Sequence, residues 1–132
     1  MYRIEQTPFG FHLTFSGMMS AAEMQAWKDE ALRTLRTAKL PKPFRVYVDM
    51  RDLVPLPQDA KEVLVSGQAA FKAANMDRSV VVVAKHMVAM QMRNTALASG
   101  IESGERYISV EEEHWADEAD AWILQGVEPT HK

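Results

Sequence analysis

Hydrophobic residues along this chain switch between a two-residue period, typical of β-strands, and a period of three to four residues, typical of helices. Five segments have the strand pattern: 2–7, 11–15, 44–48, 79–84 and 106–109. The first two are separated by a Pro-Phe-Gly turn, which predicts a β-hairpin whose second strand enters the main sheet. The continuous β-branched run Ser79–Ala84 is typical of a parallel strand that is covered on both faces.

Four segments have the helical period: 21 to about 38, about 59–74, about 88–99, and a last one that opens after 109. Three polar pairs have the capping-box spacing that marks a helix start: Ser20/Glu23, Asp59/Glu62 and Ser109/Glu112. Gly100 stands where the third helix needs a left-handed C-cap. The residues predicted to face the core are Met24, Trp27, Ala31, Leu35 and Ala38, then Val63, Leu64, Gly67, Ala70, Phe71 and Ala74, and finally Trp115, Ala119, Trp122 and Ile123. The small residues Gly67 and Ala70 predict a close approach of the second helix to the sheet.

The order ββαβαβαβα predicts an α/β fold with a mostly parallel sheet, an antiparallel N-terminal strand and flanking helices. We find no internal repeat, low-complexity tract or long linker, so a single domain over 1–132 is expected.

Composition narrows the function classes. The 132 residues are 47% hydrophobic and 25% charged, as in an ordinary globular protein, and the net charge of −3 provides no attraction to nucleic acid. The absence of cysteine excludes a thiolate nucleophile and a thiolate metal site. The longest apolar run, Val80–Ala84, is too short to insert into a membrane. We therefore expect a soluble cytoplasmic domain of bacterial type.

Four stretches carry a resemblance to a known family: VDMRDL at 48–53, SVVVVA at 79–84, SGI with ERYIS at 99–109, and AWIL at 121–124. With the element order, they resemble the SpoIIAA-like family. That family shares its fold with the STAS domains of anti-sigma factor antagonists and sulfate transporters. The resemblance covers essentially the whole chain and implies a regulatory module that works through protein contacts.

One part of the family pattern is missing. The antagonists carry Asp-Ser-Ser-Gly at a helix start, where a partner kinase phosphorylates a serine. The corresponding residues here are Pro57-Gln58-Asp59-Ala60, which have no hydroxyl group. The resemblance therefore implies a module that is not phosphorylated at this position. Asp59 either caps the helix, which is the favoured interpretation, or places a permanent charge where a phosphoserine would lie.

Charged residues follow two neighbouring strands of the predicted sheet. Asp49, Arg51 and Asp52 end the central strand, and Lys85 and His86 follow the next one. Because carboxyl ends of parallel strands share one edge, these residues are expected to converge where α/β folds bind ligands. Asp49 would orient His86 as a general base in an enzyme; the alternative is a solvated set of surface ion pairs. With no nucleophile or glycine-rich phosphate loop, we expect neither an enzyme nor a cofactor.

A second charged stretch is acidic and invites comparison with a metal site. It comprises Glu111, Glu112, Glu113 and His114, continued by Asp117, Glu118 and Asp120. We place these residues on the first turns of the last helix, where the helix dipole favours negative charge. Since no recognised ligand spacing occurs, a solvated helix face is expected and no metal site is predicted.

The chain has nine methionines, of which several map to loops or helix starts at the same sheet edge: Met18, Met19, Met50, Met87, Met90 and Met92. Methionine suits adaptable apolar contacts, so a methionine rim favours a protein partner, a second copy of the chain, or a small apolar ligand. The alternative is that these side chains fill gaps in the core.

Two functions remain open. The first is a regulatory interaction module, expected to be a homodimer, that uses the rim and the 49–59 segment. The second is a carrier or sensor of a small apolar ligand. A closed apolar pocket at the Met18/Met87 edge would favour the carrier, and an exposed patch there would favour the module.

Overall fold

The computed structural model describes residues 1–101 and 103–130, with positions 95 and 99 by their backbone alone. The strands are β1 (Tyr2–Thr7), β2 (Gly10–Gly17), β3 (Phe44–Leu53), β4 (Met76–Val83) and β5 (Glu105–Ser109). The helices are α1 (Ala21–Thr37), α2 (Gln58–Ala73), α3 (His86–Ser99) and α4 (Trp115–Gln125). The predicted α/β class and the order ββαβαβαβα are confirmed.

The five strands form one mixed sheet in the order β1-β2-β3-β4-β5. The pair β1–β2 is antiparallel, as predicted, and every later pair is parallel. Each of the helices α1, α2 and α3 connects one strand to the next strand of the sheet, always in the same direction across it. The three helices therefore cover the same face of the sheet. Only α4, which follows the edge strand, packs on the opposite face.

The larger core lies between the sheet and α1 to α3. Alternate residues of β2 and β3 point into it, and Trp27 and Phe71 close it from the helices. Gly67 allows α2 to pass the indole of Trp27, because a β-carbon added there would lie 2.5 Å from Cζ3. The close approach predicted at Gly67 is therefore to α1 and not to the sheet. Ala74, predicted to be buried, is exposed because α2 ends before it.

A smaller core joins Val80, Val82 and Ile108 to the predicted inward stripe of α4, which is Ala119, Trp122 and Ile123 with partly buried Trp115. The indole nitrogen of Trp122 donates a hydrogen bond to the carbonyl of Ser79 at 2.9 Å. Strand β4 is thus buried on both faces, as its β-branched run predicts.

Two of the predicted helix caps are present. The Ser20 hydroxyl accepts a hydrogen bond from the Glu23 amide at 3.1 Å, so the start of α1 is confirmed. Gly100 has a φ of 78° and ends α3 in the left-handed conformation.

The cap predicted at Asp59 is wrong. Pro57 is the N-cap of α2, and Asp59 lies within the first turn, where its Oδ1 accepts from the Ala60 amide at 2.8 Å. Helix α2 begins at Gln58 and not at about Asp59, because Pro57, which has no amide proton, already takes the extended N-cap conformation. The Asp59 carboxylate can still interact with the helix dipole.

The helix start predicted at Ser109 and Glu112 is also wrong. Ser109 ends β5, and its hydroxyl accepts from the Glu111 amide at 3.1 Å, which closes a tight turn instead. Helix α4 begins at Trp115, after His114 in a left-handed conformation. Glu111, Glu112 and Glu113 therefore lie before the helix and not on its first turns.

Candidate functional site

Several of the predicted site residues lie at or beside the carboxyl edge of the parallel strands. Met18 follows β2, the cluster Asp49, Arg51 and Asp52 belongs to β3, and Lys85 and His86 follow β4. The charged cluster was expected to end β3, but the strand continues to Leu53. It does so because Ser16 and Gly17 of β2 still pair with Asp52 and Leu53.

Asp49 and Arg51 form a bidentate ion pair. Arg51 Nε lies 3.0 Å from Asp49 Oδ1, Nη2 lies 2.8 Å from Oδ2, and the Arg51 amide also donates to Oδ1. Burial raises the pKa of Asp49, but the hydrogen bonds from Arg51 outweigh it and leave the pKa below its usual value. The guanidinium also lies 5.1 Å from the centre of the Trp115 ring. Asp49 is therefore an ionised, fully engaged carboxylate.

A general-base role would require His86 to be paired with Asp49, but its carboxylate partner is Glu112. Its Nε2 lies 3.2 Å from Glu112 Oε1, and its amide donates to Glu111 Oε1 at 3.0 Å. The hydrogen bond from this amide lowers the pKa of Glu111. These contacts tie the start of α3 to the turn before α4. The structure does not pair His86 with Asp49.

The other charged residues at this edge are peripheral. Asp52, Asp59 and Lys85 are all exposed. The Lys85 carbonyl accepts from the amides of Val88 and Ala89 at 3.1 and 3.3 Å, so its main chain helps to begin α3. These three side chains are therefore solvated and do not line an enclosed site.

Tyr47 and His12 were missed by the sequence analysis. Their rings lie 4.9 Å apart on the sheet face that also carries Asp49. Burial, followed by the charges of Asp120 and Asp49, raises the pKa of Tyr47 to about 12. The tyrosine is therefore a neutral phenol at physiological pH and not a base. The alternation of Tyr47 with buried Val46 and Val48 was the available signal that it faces α4.

The predicted methionine rim divides into two groups. Met18, Met87 and Met90 are 82%, 71% and 64% exposed, as a contact surface requires. Met19, Met50 and Met92 are almost completely buried, so the rim interpretation is wrong for them. Met50 points inward because it alternates with Asp49 and Arg51, and Met19 fills the core below the start of α1. Exposed Val54 adds to the first group, since its amide bonds to the Gly17 carbonyl beside Met18.

Helix α3 extends this exposed apolar surface. Met87, Met90, Asn94 and Leu97 are spaced to share one helical face, which we call the outer stripe of α3. Leu97 is 58% exposed. The opposite face carries Ala89, Met92 and Ala96, all buried. A helix on the surface of a monomer normally has a polar outer face, whereas the outer stripe of α3 carries three exposed apolar side chains, Met87, Met90 and Leu97, beside the polar Asn94.

Two grooves flank the outer stripe. The first, of about 250 Å³, lies toward β5 and is bounded by Met90, Arg93, Tyr107 and Glu112. The second, of about 480 Å³, lies toward α2 and is bounded by Lys61, Glu62, Gln91, Asn94 and Ala98. The α3 helix is therefore a ridge between two depressions.

An internal cavity lies between the sheet and helices α1 and α2. Its volume is about 30 Å³, the share of one water molecule, and most of its lining is apolar. Glu105 and Gln68 are polar groups at its wall. The cavity is deep in the larger core and not beside Met18 or Met87.

Within residues 1–101 and 103–130, no three histidine, aspartate or glutamate side chains are grouped so that they would hold a metal ion. Each helix in the same ranges is too short or too polar to cross a bilayer.

Comparison with known proteins does not identify the chain. No protein-family model matches it, and no curated protein matches its sequence. The fold class thus follows from the structure, while membership of the SpoIIAA-like family stays a prediction.

Proposed function

We propose that this chain is a non-enzymatic interaction module of the SpoIIAA-like type whose contact surface is the outer stripe of α3. The observation that supports this function is the exposure of Met87, Met90 and Leu97 on one face of a helix whose other face is already buried. Removing such a side chain from water contributes about 1.5–3 kcal/mol. Met18 and Val54, at the same sheet edge, extend the surface.

The partner we propose is a second copy of the chain. A ridge between two grooves is complementary to itself, since the ridge of one protomer fits a groove of the other. A two-fold axis beside Asn94 would place Met90 of one protomer against Leu97 of the other, and the reverse. The groove walls carry both signs of charge, including Arg93 and Glu112 on the β5 side. Such walls suit a symmetric contact better than a strongly charged partner.

The alternatives have less support. A carrier of an apolar ligand needs an enclosed, largely apolar pocket. The 30 Å³ cavity is far too small for a ligand, and the two larger depressions beside α3 are open grooves whose walls carry charged residues such as Lys61, Glu62, Arg93 and Glu112. An enzyme using Asp49 and His86 needs these residues together, and each is engaged elsewhere. A switch by phosphorylation at 57–60 lacks a hydroxyl group.

The proposal is tested by changing Met87, Met90 and Leu97 together to glutamine. We expect the wild-type protein to be a dimer at micromolar concentration by light scattering and the triple variant to be a monomer. Urea unfolding of the variant should change little, because exposed side chains lose little burial. The matched control is Leu124→Gln with Val127→Gln, two exposed apolar positions in the last turn of α4 and just after its C-cap, and it should remain a dimer. A monomeric wild-type protein, or a dimeric triple variant, would overturn the proposal.

A further inference from the structure

Glu105 is a carboxyl group inside the core. It begins β5, is 4% exposed, and lies opposite Ser79 in the pairing of β4 with β5. The Ser79 hydroxyl donates to Glu105 Oε1 at 3.1 Å, and Glu105 Oε2 lies 2.5 Å from the Tyr107 hydroxyl oxygen. Buried carboxyl groups are rare unless they are paired with a cation, and this one is not paired with any cation of the described residues.

The same tyrosine reaches α3. Its hydroxyl oxygen lies 3.0 Å from the Met92 carbonyl, which can only accept a hydrogen bond. A phenol has one proton and cannot donate fully to both Met92 and an ionised Glu105. Both contacts form together when Glu105 carries a proton and donates it to Tyr107, which then donates to Met92. The geometry therefore fits the carboxylic acid better than the carboxylate.

We propose that Glu105 is a proton-dependent latch on α3. When Glu105 is protonated, the chain from Glu105 through Tyr107 to Met92 holds the helix against the sheet. When the proton leaves, the Tyr107 hydroxyl turns to the carboxylate and the bond to Met92 is lost. The consequence for association rests on the proposed function, because α3 carries the outer stripe; the latch itself is a property of the fold.

The surroundings of Glu105 place this transition near neutrality. Burial raises its pKa to about 7, even though the hydrogen bonds from Tyr107 and Ser79 act in the opposite direction. Its neighbours around the internal cavity are neutral: Gln68 of α2, Met76 and Ser79 of β4, and Ile101.

The charged groups on the surrounding elements have contacts elsewhere. Lys72 of α2 donates to the Gly100 carbonyl, and Arg93 of α3 lies 5.7 Å from the centre of the Tyr107 ring. Arg78 of β4 and Arg106 of β5 contact Trp122 on the α4 side of the sheet. Asp77 of β4 is exposed. Among the described residues, therefore, no cation is placed to stabilise the ionised form of Glu105.

The latch is tested by nuclear magnetic resonance between pH 4.5 and 8.5. The Glu105 carboxyl carbon should titrate near pH 7, and amide resonances around Met92 should shift with the same midpoint. Two variants separate the steps. Glu105→Gln keeps a neutral side chain and should remove the transition in α3. Tyr107→Phe should leave the Glu105 titration in place and uncouple it from the α3 amides.

His86, which begins α3, is retained in both variants, so only the difference from the wild type is assigned to Glu105. A Glu105 midpoint near that of an exposed glutamate, about 4.3, would overturn the latch. An equal α3 response in wild type and Tyr107→Phe would do the same.

Mass by light scattering across the same pH range then tests the link to association. A dimer that weakens with rising pH in the wild type but not in Glu105→Gln supports the link. A dimer whose mass does not depend on pH would refute the link to association but not the latch. A monomer at every pH would refute the proposed function, and the resonance titration would still test the latch.

Discussion

Gly67 of α2 and Trp27 of α1 are in direct contact, with the space for a β-carbon at Gly67 already taken by the edge of the indole ring. The added atom would lie 2.5 Å from Cζ3 and 2.8 Å from Cη2. Trp27 in turn packs edge-on against Phe15 of β2, with ring centres 5.2 Å apart. The position of α2 over the sheet is thus set through one glycine and one tryptophan.

Changing Gly67 to alanine should therefore destabilise the protein. Overpacking typically costs about 1–3 kcal/mol, against about 1 kcal/mol gained from the better helix propensity of alanine. We expect a net loss of roughly 1 kcal/mol in urea unfolding. In a Trp27→Phe background the cost of Gly67→Ala should fall, since the smaller ring leaves room. Equal costs in both backgrounds would show that Trp27 does not set this spacing.

Met18 and Met19 offer a matched pair for testing the division of the methionines. Met19 is 2% exposed and Met18 is 82% exposed, although they are adjacent in sequence. Met19→Gln buries an amide without an assured partner and should cost about 1–3 kcal/mol, whereas Met18→Gln should be within about 0.5 kcal/mol of wild type. Both values come from urea unfolding. Similar losses for the two variants would contradict the described exposures.

Ser20 and Asp59 separate a true helix cap from a charge in the first turn. Ser20→Ala removes the hydroxyl that accepts from the Glu23 amide and should cost about 1 kcal/mol. Asp59→Asn removes only an interaction with the helix dipole and should cost about 0.3–0.5 kcal/mol, decreasing as salt is added. Thermal unfolding at two ionic strengths measures both. A loss of about 1 kcal/mol in Asp59→Ala, as large as that of Ser20→Ala, together with a neutral Asp59→Asn, would restore the capping interpretation, because asparagine caps a helix about as well as aspartate.

The stability of the protein should depend on pH through Glu105. Its pKa rises from 4.5 to about 7 on folding, so the folded state holds this proton more tightly. The corresponding stability is fully present below pH 4.5 and is lost as pH rises to about 7, by roughly 3 kcal/mol for this difference. Unfolding of Glu105→Gln should lack this fall, while the other titrating groups affect both proteins alike. Parallel pH profiles for the two proteins would rule out a raised pKa.

Most of the fold follows from hydrophobic periodicity. The run Ser79–Ala84 and the stripe Trp115, Ala119, Trp122 and Ile123 were identifiable because burial on a sheet or helix imposes a regular spacing. The Ser20 cap was equally local, since a hydroxyl and an amide three residues apart need no tertiary context. The helix starts predicted at Asp59 and Ser109 rest on the same spacing and are wrong. Pro57 is already the N-cap of α2, and the Ser109 hydroxyl closes a turn after β5 instead of capping a helix.

The candidate site was less predictable, because exposure depends on which elements cover one another. Met18 and Met19 are chemically identical, and only the packing of α1 distinguishes them. The strand predicted from the sequence begins at Arg106, so it does not include Glu105. Its alternation with Tyr107 and Ser109 would have placed it inward, but only knowledge that α3 covers the edge strand makes that face buried.

The central claim, that the outer stripe of α3 joins two copies of the chain, is tested most directly by disulfide trapping. The chain has no cysteine, so a single Asn94→Cys introduces the only thiol on a face where the two-fold axis is proposed. A disulfide requires α-carbons within about 7 Å, which a symmetric contact at this position provides. Gln125→Cys, exposed at the end of α4 on the opposite face of the sheet, is the matched control. We predict rapid formation of a covalent dimer under mild oxidation for Asn94→Cys and slow formation for the control; equal rates, or no covalent dimer through position 94, would contradict the account.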